Sequence, residues 1–459
     1  MQTMVWKMNL TRLTDNNLNI HEEALSSIPN LREKITNKTL GELEKEGVFV
    51  FPEGAKETED LDNAQMILQK INSNYQTGNI MGFLGLGKER LVISSRFSND
   101  GTENTDFFLH YLLSRVVNLP NLFELFTNTN NENQILDILD FLFPRYLKQA
   151  IRKGVFKTYI LNEYNDCNIK GAIDIARHIK KNTPFVGNIA YSQREYSYDN
   201  NITELIRHTI EVIKRKPYGN QLLGTIKDEV NMIVEATPKF RAHDLRKVLL
   251  ANKKAIIRHA YFSEYRELQR LCIMILQYEK QEIGFGLNQV CGVLFDGAWL
   301  WEEYINLIVN SNGERFYHPK NKAHEGHQWL FTGSTPSGRK SQVGEIYPDF
   351  IGKNSNIIAD AKYKPMENIS RGDYFQVLSY MYRFDAKRGY YFYPEKNENV
   401  EYKTLNLNQG IQPFEKVQAR EDIIITKLGF TVPQNANNYA DFEKAMQKAE
   451  NNFITALPN

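Results

Sequence analysis

The chain has 459 residues, enough for roughly two to four domains. Hydrophobic residues make up 42% and charged residues 24% of the sequence, which is the composition of an ordinary soluble globular protein. The formal net charge is +1, which excludes a global electrostatic attraction to nucleic acid, so any DNA binding must come from local patches.

The three cysteines argue against two classes of small, cross-linked protein. Cys167, Cys272 and Cys291 are far apart and form no C-x-x-C pair. This spacing disfavours a zinc ribbon or a disulfide framework and is typical of the reducing cytoplasm. No apolar stretch approaches the ~18 to 20 residues of a membrane span. Residues Met1 to Thr11 lack the apolar core of a signal peptide.

The first hundred residues predict mainly strands. Val48–Phe51 is a short buried run, and the segments 80–84 and 90–94 predict a hairpin around Gly85–Lys88. We expect one helix in this region, from about Leu61 to Asn72. Asp106 to about Lys153 has a helical pattern.

The segment Gly82–Glu89 nearly matches the phosphate-binding pattern GxxxxGK(S/T). Its last position is Glu89, whereas the pattern needs a hydroxyl there to bind Mg²⁺. A predicted strand follows, not the helix whose N-terminus would hold a phosphate. We therefore expect a glycine-rich turn and no nucleotide bound by this chain.

Helices dominate from about Asn200 to Glu282, with predicted helices at 201–214, 222–235 and 263–278. This middle region is locally basic, and two interpretations stay open. Its basic side chains either cover solvated helix faces or contact a phosphate backbone. They are Lys214, Arg215, Lys216, Lys239, Arg241, Arg246, Lys247, Lys253, Lys254 and Arg258.

A helix is predicted over Asp296–Asn310. At ~100° per residue, Glu303 falls on its polar stripe, whereas Glu302 borders the apolar side and should face a sheet. Downstream, His318, His324 and His327 do not have the H-E-x-x-H spacing. We expect solvated or phosphate-contacting histidines there rather than zinc ligands.

The strongest chemical signal is a predicted hairpin near the C-terminal end. Two apolar segments, 345–351 and 356–363, flank the turn-forming residues Gly352 to Ser355. Alternation along a strand places Asp360 and Lys362 on one face, with Asp349 on the partner strand. Two carboxylates suit Mg²⁺, and a lysine beside the metal suits the activation of a water molecule.

These residues resemble the PD-(D/E)xK nuclease signature: Pro348-Asp349, then ten residues, then Asp360-Ala361-Lys362. The alternative is an exposed hairpin whose charges face water, but the Asp360 segment is otherwise apolar and should be buried. The resemblance implies that Asp349, Asp360 and the Ala361 carbonyl bind Mg²⁺. It also implies a further acidic ligand on the preceding helix, for which Glu302 is preferred.

The following segment, 371–386, is predicted to be a helix with Gln376 on its polar face. That face could be solvated, but in this nuclease class a glutamine on this helix commonly lies beside the metal site. Gly389–Pro394 then predicts a buried strand. The order of helix, strands, hairpin, helix and strand is that of the restriction-endonuclease core.

The chain as a whole resembles the McrC family, the nuclease subunit of McrBC-type restriction systems, including LlaJI-type relatives. The resemblance runs over roughly residues 40–400. It rests on the order of several segments: 82–84 with 91–97, Ile169–Asp174 with His178, Glu195–Asn201, and Trp301–Tyr304. The aromatic-Glu pair in the last segment again favours Glu302.

The resemblance implies a fold and a partner. The predicted fold is α+β and multidomain, with a β-rich N-terminal domain, a helical middle and a C-terminal restriction-endonuclease-like α/β core. The predicted segments are a partner-binding region (1–160), a mainly helical region (161–282), the nuclease domain (283–400) and an extension packed on it (401–459).

The implied activity is Mg²⁺-dependent DNA cleavage together with an McrB-like AAA+ GTPase hexamer. The N-terminal region would contact that ring and stimulate GTP hydrolysis. The alternatives are a standalone nuclease of DNA repair or recombination, and a non-catalytic activator of the motor. The intact triplet of Asp349, Asp360 and Lys362 argues against the activator.

Overall fold

The computed structural model describes the greater part of the chain. The described residues are 9–46, 48–51, 66–98, 106–116, 138–258, 260–282, 290–319, 326–334, 338, 340–353, 356–396, 403–411 and 416–457. By their contacts the residues form two units. One combines 1–132 with 287–459, and the other is 133–286. The boundaries of the four predicted segments remain a prediction. The contacts place residues 1–132 and 287–459 in the same unit.

The chain is mixed α/β, as the predicted α+β class requires. The strands are β1 (Asn9–Thr14), β2 (Phe49–Phe51), β3 (Leu68–Ile71), β4 (Asn74–Thr77), β5 (Ile80–Leu86), β6 (Glu89–Ser94), β7 (Thr158–Asp166), β8 (Ala172–Ile173), β9 (Ile189–Ser197), β10 (Cys291–Asp296), β11 (Phe316–Tyr317), β12 (Gln328–Ser334), β13 (Lys340–Ile346), β14 (Phe350–Gly352), β15 (Ile357–Ala361), β16 (Arg388–Glu395), β17 (Lys403–Gln409) and β18 (Gln418–Thr431).

The helices follow the same chain order. They are α1 (Pro29–Ile35), α2 (Leu40–Glu46), α3 (Phe107–Val116), α4 (Ile138–Ile151), α5 (Ile175–Lys181), α6 (Asn201–Lys214), α7 (Gly219–Gly224), α8 (Lys227–Ala236), α9 (Leu245–Lys254), α10 (Ser263–Glu282), α11 (Gly297–Val309), α12 (Arg371–Arg383) and α13 (Tyr439–Ala456). Among the helices described, none combines the length and the hydropathy that a membrane span requires.

The first unit contains a five-stranded sheet with the order β1-β6-β5-β10-β2. The predicted hairpin is confirmed as β5 and β6. Strand β10 comes from a distant part of the chain, yet it pairs with both β5 and β2. Leucine and isoleucine side chains from β5, β6, β10, α1 and α2 fill one buried core around this sheet.

The predicted helix over Leu61–Asn72 is wrong in its described part. Residues 68–71 form β3, which pairs with β4 across a tight turn, and Ile71 is opposite Asn74. Asn72 at this turn has a φ of 55°, a conformation that asparagine tolerates and a helix does not allow. Residues 61–65 lie outside the described part. Turn chemistry and strand pairing therefore outweighed the helical pattern.

A six-stranded sheet has the order β11-β14-β15-β16-β18-β17. The predicted hairpin is present as β14 and β15, and β15, β16 and β18 run parallel. The predicted C-terminal extension contributes β17 and β18 to this same sheet. Helix α13 runs to Ala456, beyond its predicted end near Ala449, and its Phe453 packs against Phe392 and Phe430.

The second unit consists of helices α4 to α10 and a three-stranded sheet, β7-β9-β8. The predicted helix 201–214 is confirmed as α6, and Asn200 and Thr203 form a capping box at its start. The helix predicted over 222–235 is broken after Gly224, a residue of low helix propensity. The sheet lies within a region predicted to be mainly helical.

Candidate active site

Two carboxylates meet at the end of the β14–β15 hairpin. Phe350 is paired with Ala359, so the next residues outward on the two strands are Asp349 and Asp360. Asp349 lies in the bend just before β14, one residue outside the strand in which it was predicted. The Ala361 amide donates a hydrogen bond of 2.8 Å to Asp349 Oδ2. Asp360 is 1% exposed. Asp349 itself is half-buried. The hairpin therefore holds two acids side by side, and Asp360 is shielded from water.

Lys362 follows directly after β15 and reaches the same place. Its Nζ lies 2.8 Å from Asp360 Oδ2 and donates a 3.1 Å hydrogen bond to Gln376 Oε1. Asp373 Oδ1 is 3.7 Å away. The ammonium is thus held between an acid of the sheet and two side chains of α12. The structure brings together the predicted residues Asp360, Lys362 and Gln376.

Helix α12 supports this lysine through a short polar chain. Gln376 Nε2 donates to the Tyr380 hydroxyl over 2.9 Å, one helical turn further on. At the helix start, Asp373 accepts from the Ser370 amide over 2.6 Å and pairs with Lys364 over 2.7 Å. Gln376 therefore has its amide oriented by Tyr380, and its oxygen is directed at Lys362.

Helix α11 adds acids from the other side, in the predicted orientation. The side chain of Glu302 is 11% exposed and that of Glu303 is 36% exposed. The Trp301 indole and the Lys362 amide both donate to the Phe392 carbonyl, over 3.0 and 2.9 Å. This shared acceptor on β16 ties the glutamate helix to the backbone of the lysine.

His318 is a site residue that sequence reasoning did not select. It was expected to be solvated or to contact phosphate, but its side chain is only 12% exposed and stacks on Phe350 with centroids 5.0 Å apart. Its Nε2 lies 3.8 Å from Glu302 and 3.7 Å from Glu303. Its Nδ1 is 2.7 Å from the Asp349 carbonyl oxygen. No local motif marks this contact, since it joins three separate segments.

The pKa of His318 reflects these neighbours. Burial by itself lowers the pKa of the imidazole, but Glu303, Glu302 and the Asp349 carbonyl outweigh burial and raise it. Of the other histidines, His327 contacts Trp329 edge-on, and His324 lies outside the described residues.

The three acids Asp349, Asp360 and Glu302 repel one another. Burial, then Glu302, then Asp360 raise the pKa of Asp349 well above its usual value. Lys362 and the Ala361 amide oppose this shift only in part. A cluster of this kind is costly to ionise without a cation.

The donor chemistry suits Mg²⁺, which prefers carboxylate and carbonyl oxygens. In the described part of the chain, no three His, Cys, Asp or Glu side chains form a ready-made metal-binding group. Both acids instead have partners of their own: Lys362 beside Asp360, and the Ala361 amide on Asp349. The mutual repulsion of Asp349, Asp360 and Glu302 is the feature that a divalent cation would relieve.

The near-match to a phosphate loop has a structural use. Glu89 is 7% exposed and accepts hydrogen bonds from the Asn30 side chain (2.7 Å) and the Leu31 amide (2.6 Å), so it caps the start of α1. As predicted, a strand follows the glycines, and it is β6. Glu89 stands where the phosphate-binding pattern needs a hydroxyl. Its carboxylate is already hydrogen-bonded to the start of α1 and therefore has a structural role.

One of the basic residues of the middle region is structural. Lys216 Nζ lies 2.5 Å from the buried carboxylate of Asp140, which also accepts from the Tyr218 hydroxyl over 2.8 Å. This lysine fits the interpretation without phosphate contact, and the other basic side chains keep both interpretations open.

Comparison with known proteins identifies the family. Residues 75–394, more than half of the chain, match the model of the McrBC 5-methylcytosine restriction system component. The chain belongs to this family, which confirms the resemblance drawn from its sequence segments. None of the curated proteins matches the sequence.

Two solved structures from Thermococcus gammatolerans are distantly similar. One is a half-complex from a tetradecameric assembly of McrB AAA+ hexamers with bound McrC, with 14% identity and a TM-score of 0.49, covering 97% of this chain and 99% of that chain. The other is the McrBC complex solved by cryo-electron microscopy, with 13% identity and a TM-score of 0.33, covering 69% of this chain and 93% of that chain.

Proposed function

We propose that this chain is the Mg²⁺-dependent DNA endonuclease subunit of a modification-dependent restriction system. Family membership supports a role in restriction. The observation that carries the catalytic part is the pair formed by the half-buried Asp349 and the buried Asp360, with the Lys362 ammonium 2.8 Å from Asp360. This arrangement follows the PD-(D/E)xK pattern from which the nuclease was inferred.

The side chains of the site have different proposed roles in DNA cleavage. Asp349, Asp360, Glu302 and the Ala361 carbonyl would hold Mg²⁺, which supplies a Lewis acid for the scissile phosphate when bound. Lys362 orients or deprotonates the attacking water and offsets negative charge that develops on the phosphate. Gln376 keeps the ammonium in place through its 3.1 Å hydrogen bond. Burial of Asp360 and Glu302 limits the access of bulk water and strengthens their electrostatic interactions.

The cleavage assay tests this function directly. Purified chain, combined with its cognate AAA+ GTPase, GTP and plasmid DNA carrying modified cytosine, should linearise the plasmid in Mg²⁺. Cutting should stop when EDTA removes the metal and return when excess Mg²⁺ is added. Gel electrophoresis of the plasmid measures both. Cutting that continues in EDTA contradicts the metal-dependent site.

The proposed partner is an McrB-like AAA+ GTPase hexamer acting in the cytoplasm. The Thermococcus gammatolerans assembly contains McrB AAA+ hexamers with bound McrC, which is the motive for proposing such a partner here. The chain itself would bind no nucleotide, since Glu89 is committed to α1 and β6 follows the glycine turn.

If the partner hydrolyses GTP and this chain cleaves DNA, two results are expected. Titration calorimetry should detect no binding of GTP or ATP to the isolated chain. The chain should raise the GTPase rate of the partner, and Asp360→Asn protein should do so equally, because that residue lies in the nuclease sheet. Micromolar nucleotide binding contradicts the interpretation of the glycine turn. Loss of stimulation by folded Asp360→Asn protein contradicts the separation of functions.

A further inference from the structure

Arg96 joins the five-stranded sheet to the segment that carries Lys362. It lies two residues after β6, and its side chain is 13% exposed. Its guanidinium donates to the Tyr363 carbonyl oxygen and, over 2.8 Å, to Asn79 Oδ1. It also lies 3.2 Å from the fully buried carboxylate of Asp15. A planar guanidinium, with five N–H donors, can satisfy several such acceptors at once, whereas a lysine ammonium lacks this planar fork.

Tyr363, the residue next to Lys362, is fixed on all sides. The residue is 4% exposed. Its ring lies 4.8 Å from the Arg96 guanidinium and 5.1 Å from the Phe97 ring, and its hydroxyl is 2.6 Å from Ser95 Oγ. The Lys364 amide donates to the Lys362 carbonyl over 2.9 Å, which closes a three-residue turn around Tyr363.

These contacts hold the Lys362 backbone from two directions. On one side its amide donates to the Phe392 carbonyl of β16 over 2.9 Å. On the other side, the peptide carbonyl of Tyr363 is held by Arg96. The lysine side chain therefore starts from a backbone position that the five-stranded sheet helps to set.

The same anchor reaches the glutamate helix. The Asn79 side chain accepts from Arg96, while its backbone carbonyl accepts from the Gly297 amide at the start of α11 over 2.9 Å. A Cβ at Gly297 would come within 2.7 Å of the Tyr363 ring. Asn79 and Arg96 thus hold both the turn after Lys362 and the first residue of the helix that carries Glu302.

We propose that Arg96 is a positioning residue for Lys362, so that the five-stranded sheet is part of the nuclease machinery. This inference rests on the proposed nuclease function. Arg96 is assigned no contact with Asp349, Asp360 or the substrate. It acts by fixing the Tyr363 peptide. Displacement of a catalytic group by about 1 Å can cost about a hundredfold in rate. Loss of the anchor should therefore slow the chemical step and leave DNA affinity unchanged.

The test compares variants of one buried cluster in the complete complex with its motor. Arg96→Met is made together with Asp15→Asn, because a lone Arg96→Met would leave a buried acid unpaired. The controls are Asp15→Asn alone and Arg420→Met, which is the same substitution at a more exposed arginine that pairs with Asp422 on β18. Three quantities are measured: the single-turnover cleavage rate in Mg²⁺, DNA affinity in Ca²⁺, and the melting temperature.

The double variant should cut at least about tenfold more slowly than Asp15→Asn, with DNA affinity within about twofold, since a positioning defect affects the chemical step alone. Arg420→Met should cut at nearly the wild-type rate, because its side chain lies at the surface and pairs with Asp422. Arg96→Lys keeps the charge beside Asp15, so it should fold even if the double variant does not, and it too should cut more slowly.

Three results would overturn the inference. They are an unchanged rate in the Arg96 variants, an equal loss in Arg420→Met, and a loss that lies wholly in DNA affinity. If the wild-type complex cuts and Asp360→Asn abolishes cutting, the proposed function stands and only the Arg96 results decide. A wild-type complex that cuts no DNA overturns both.

Discussion

Replacing Asp349, Asp360 or Lys362 should each abolish DNA cleavage while the protein stays folded. Asp349→Asn and Asp360→Asn each replace a carboxylate that we propose binds Mg²⁺, and Lys362→Met removes the cation that we propose acts on the attacking water. We expect each to lower the single-turnover cleavage rate by at least about a hundredfold, the scale of losing one charge-stabilising group in an active site. Gel analysis of plasmid cleavage by the complete complex measures this.

Matched control variants distinguish the loss of a catalytic group from a general effect of the substitution on the protein. Asp385→Asn and Lys387→Met change an exposed pair of the same residue types beyond α12, with side chains 89% and 51% exposed, and should cut normally. Near-native cutting by any of the three site variants contradicts the site assignment. So does an equal loss in the exposed pair.

The stability of the Asp349 variant provides a second readout. Burial, Glu302 and Asp360 all disfavour a charge on Asp349. Without metal, Asp349→Asn should therefore melt at the same temperature as wild type or higher, since one of three mutually repelling acids is gone. The wild type should gain thermal stability from Mg²⁺, and the variant should gain less. A variant that melts lower without metal and responds fully to Mg²⁺ contradicts Asp349 as a ligand.

Glu302 and Glu303 should differ sharply in their effect on cleavage. Glu302 is nearly buried and acts electrostatically on Asp349, whereas Glu303 is about one third exposed. Glu302→Gln should lower the metal-dependent rate at least about tenfold, equivalent to ~1.4 kcal/mol of transition-state stabilisation. Glu303→Gln should be close to neutral. Each glutamate has its own contact with His318, at 3.8 Å for Glu302 and 3.7 Å for Glu303, so each variant weakens one contact of similar length with that histidine.

The ranking of the two glutamates is the decisive result. A larger loss in Glu303→Gln would mean that the helix presents its other glutamate to the metal. Equal, small effects would remove α11 from the ligand set and leave Asp349, Asp360 and the Ala361 carbonyl. Cleavage rates at several Mg²⁺ concentrations measure both cases, since loss of a ligand should raise the concentration needed for half-maximal cutting.

Several parts of this fold could be predicted because their signals are local. The β14–β15 hairpin follows from two apolar segments around a four-residue turn, and strand pairing then places Asp349 opposite Asp360. Helical periodicity gave the correct burial order of Glu302 and Glu303. In each case the residues concerned lie in the same element or in two consecutive ones. Their spacing along the sequence is therefore enough to predict which side chains share a face.

Local sequence patterns did not predict the structure where a turn, or a strand from a distant part of the chain, determined it. Residues 68–71 were predicted to be helical, but the turn at Asn72 directs them into a hairpin. The same limit applies to β10, which follows about two hundred residues after β5 yet lies beside it in the sheet. Strand propensity reflects cross-strand and buried neighbours, which a local window does not contain.

The sequence alone identified the family of this protein, the acid–acid–lysine triplet, and the helix that carries the nearby glutamates. Tertiary structure alone decided what surrounds that triplet. His318 reaches Asp349 and both glutamates from a separate segment, and Arg96 reaches the Tyr363 carbonyl across 267 sequence positions. A motif records residues whose spacing along the chain matters. The groups that orient them are selected by packing, and packing brings together residues that no sequence spacing relates.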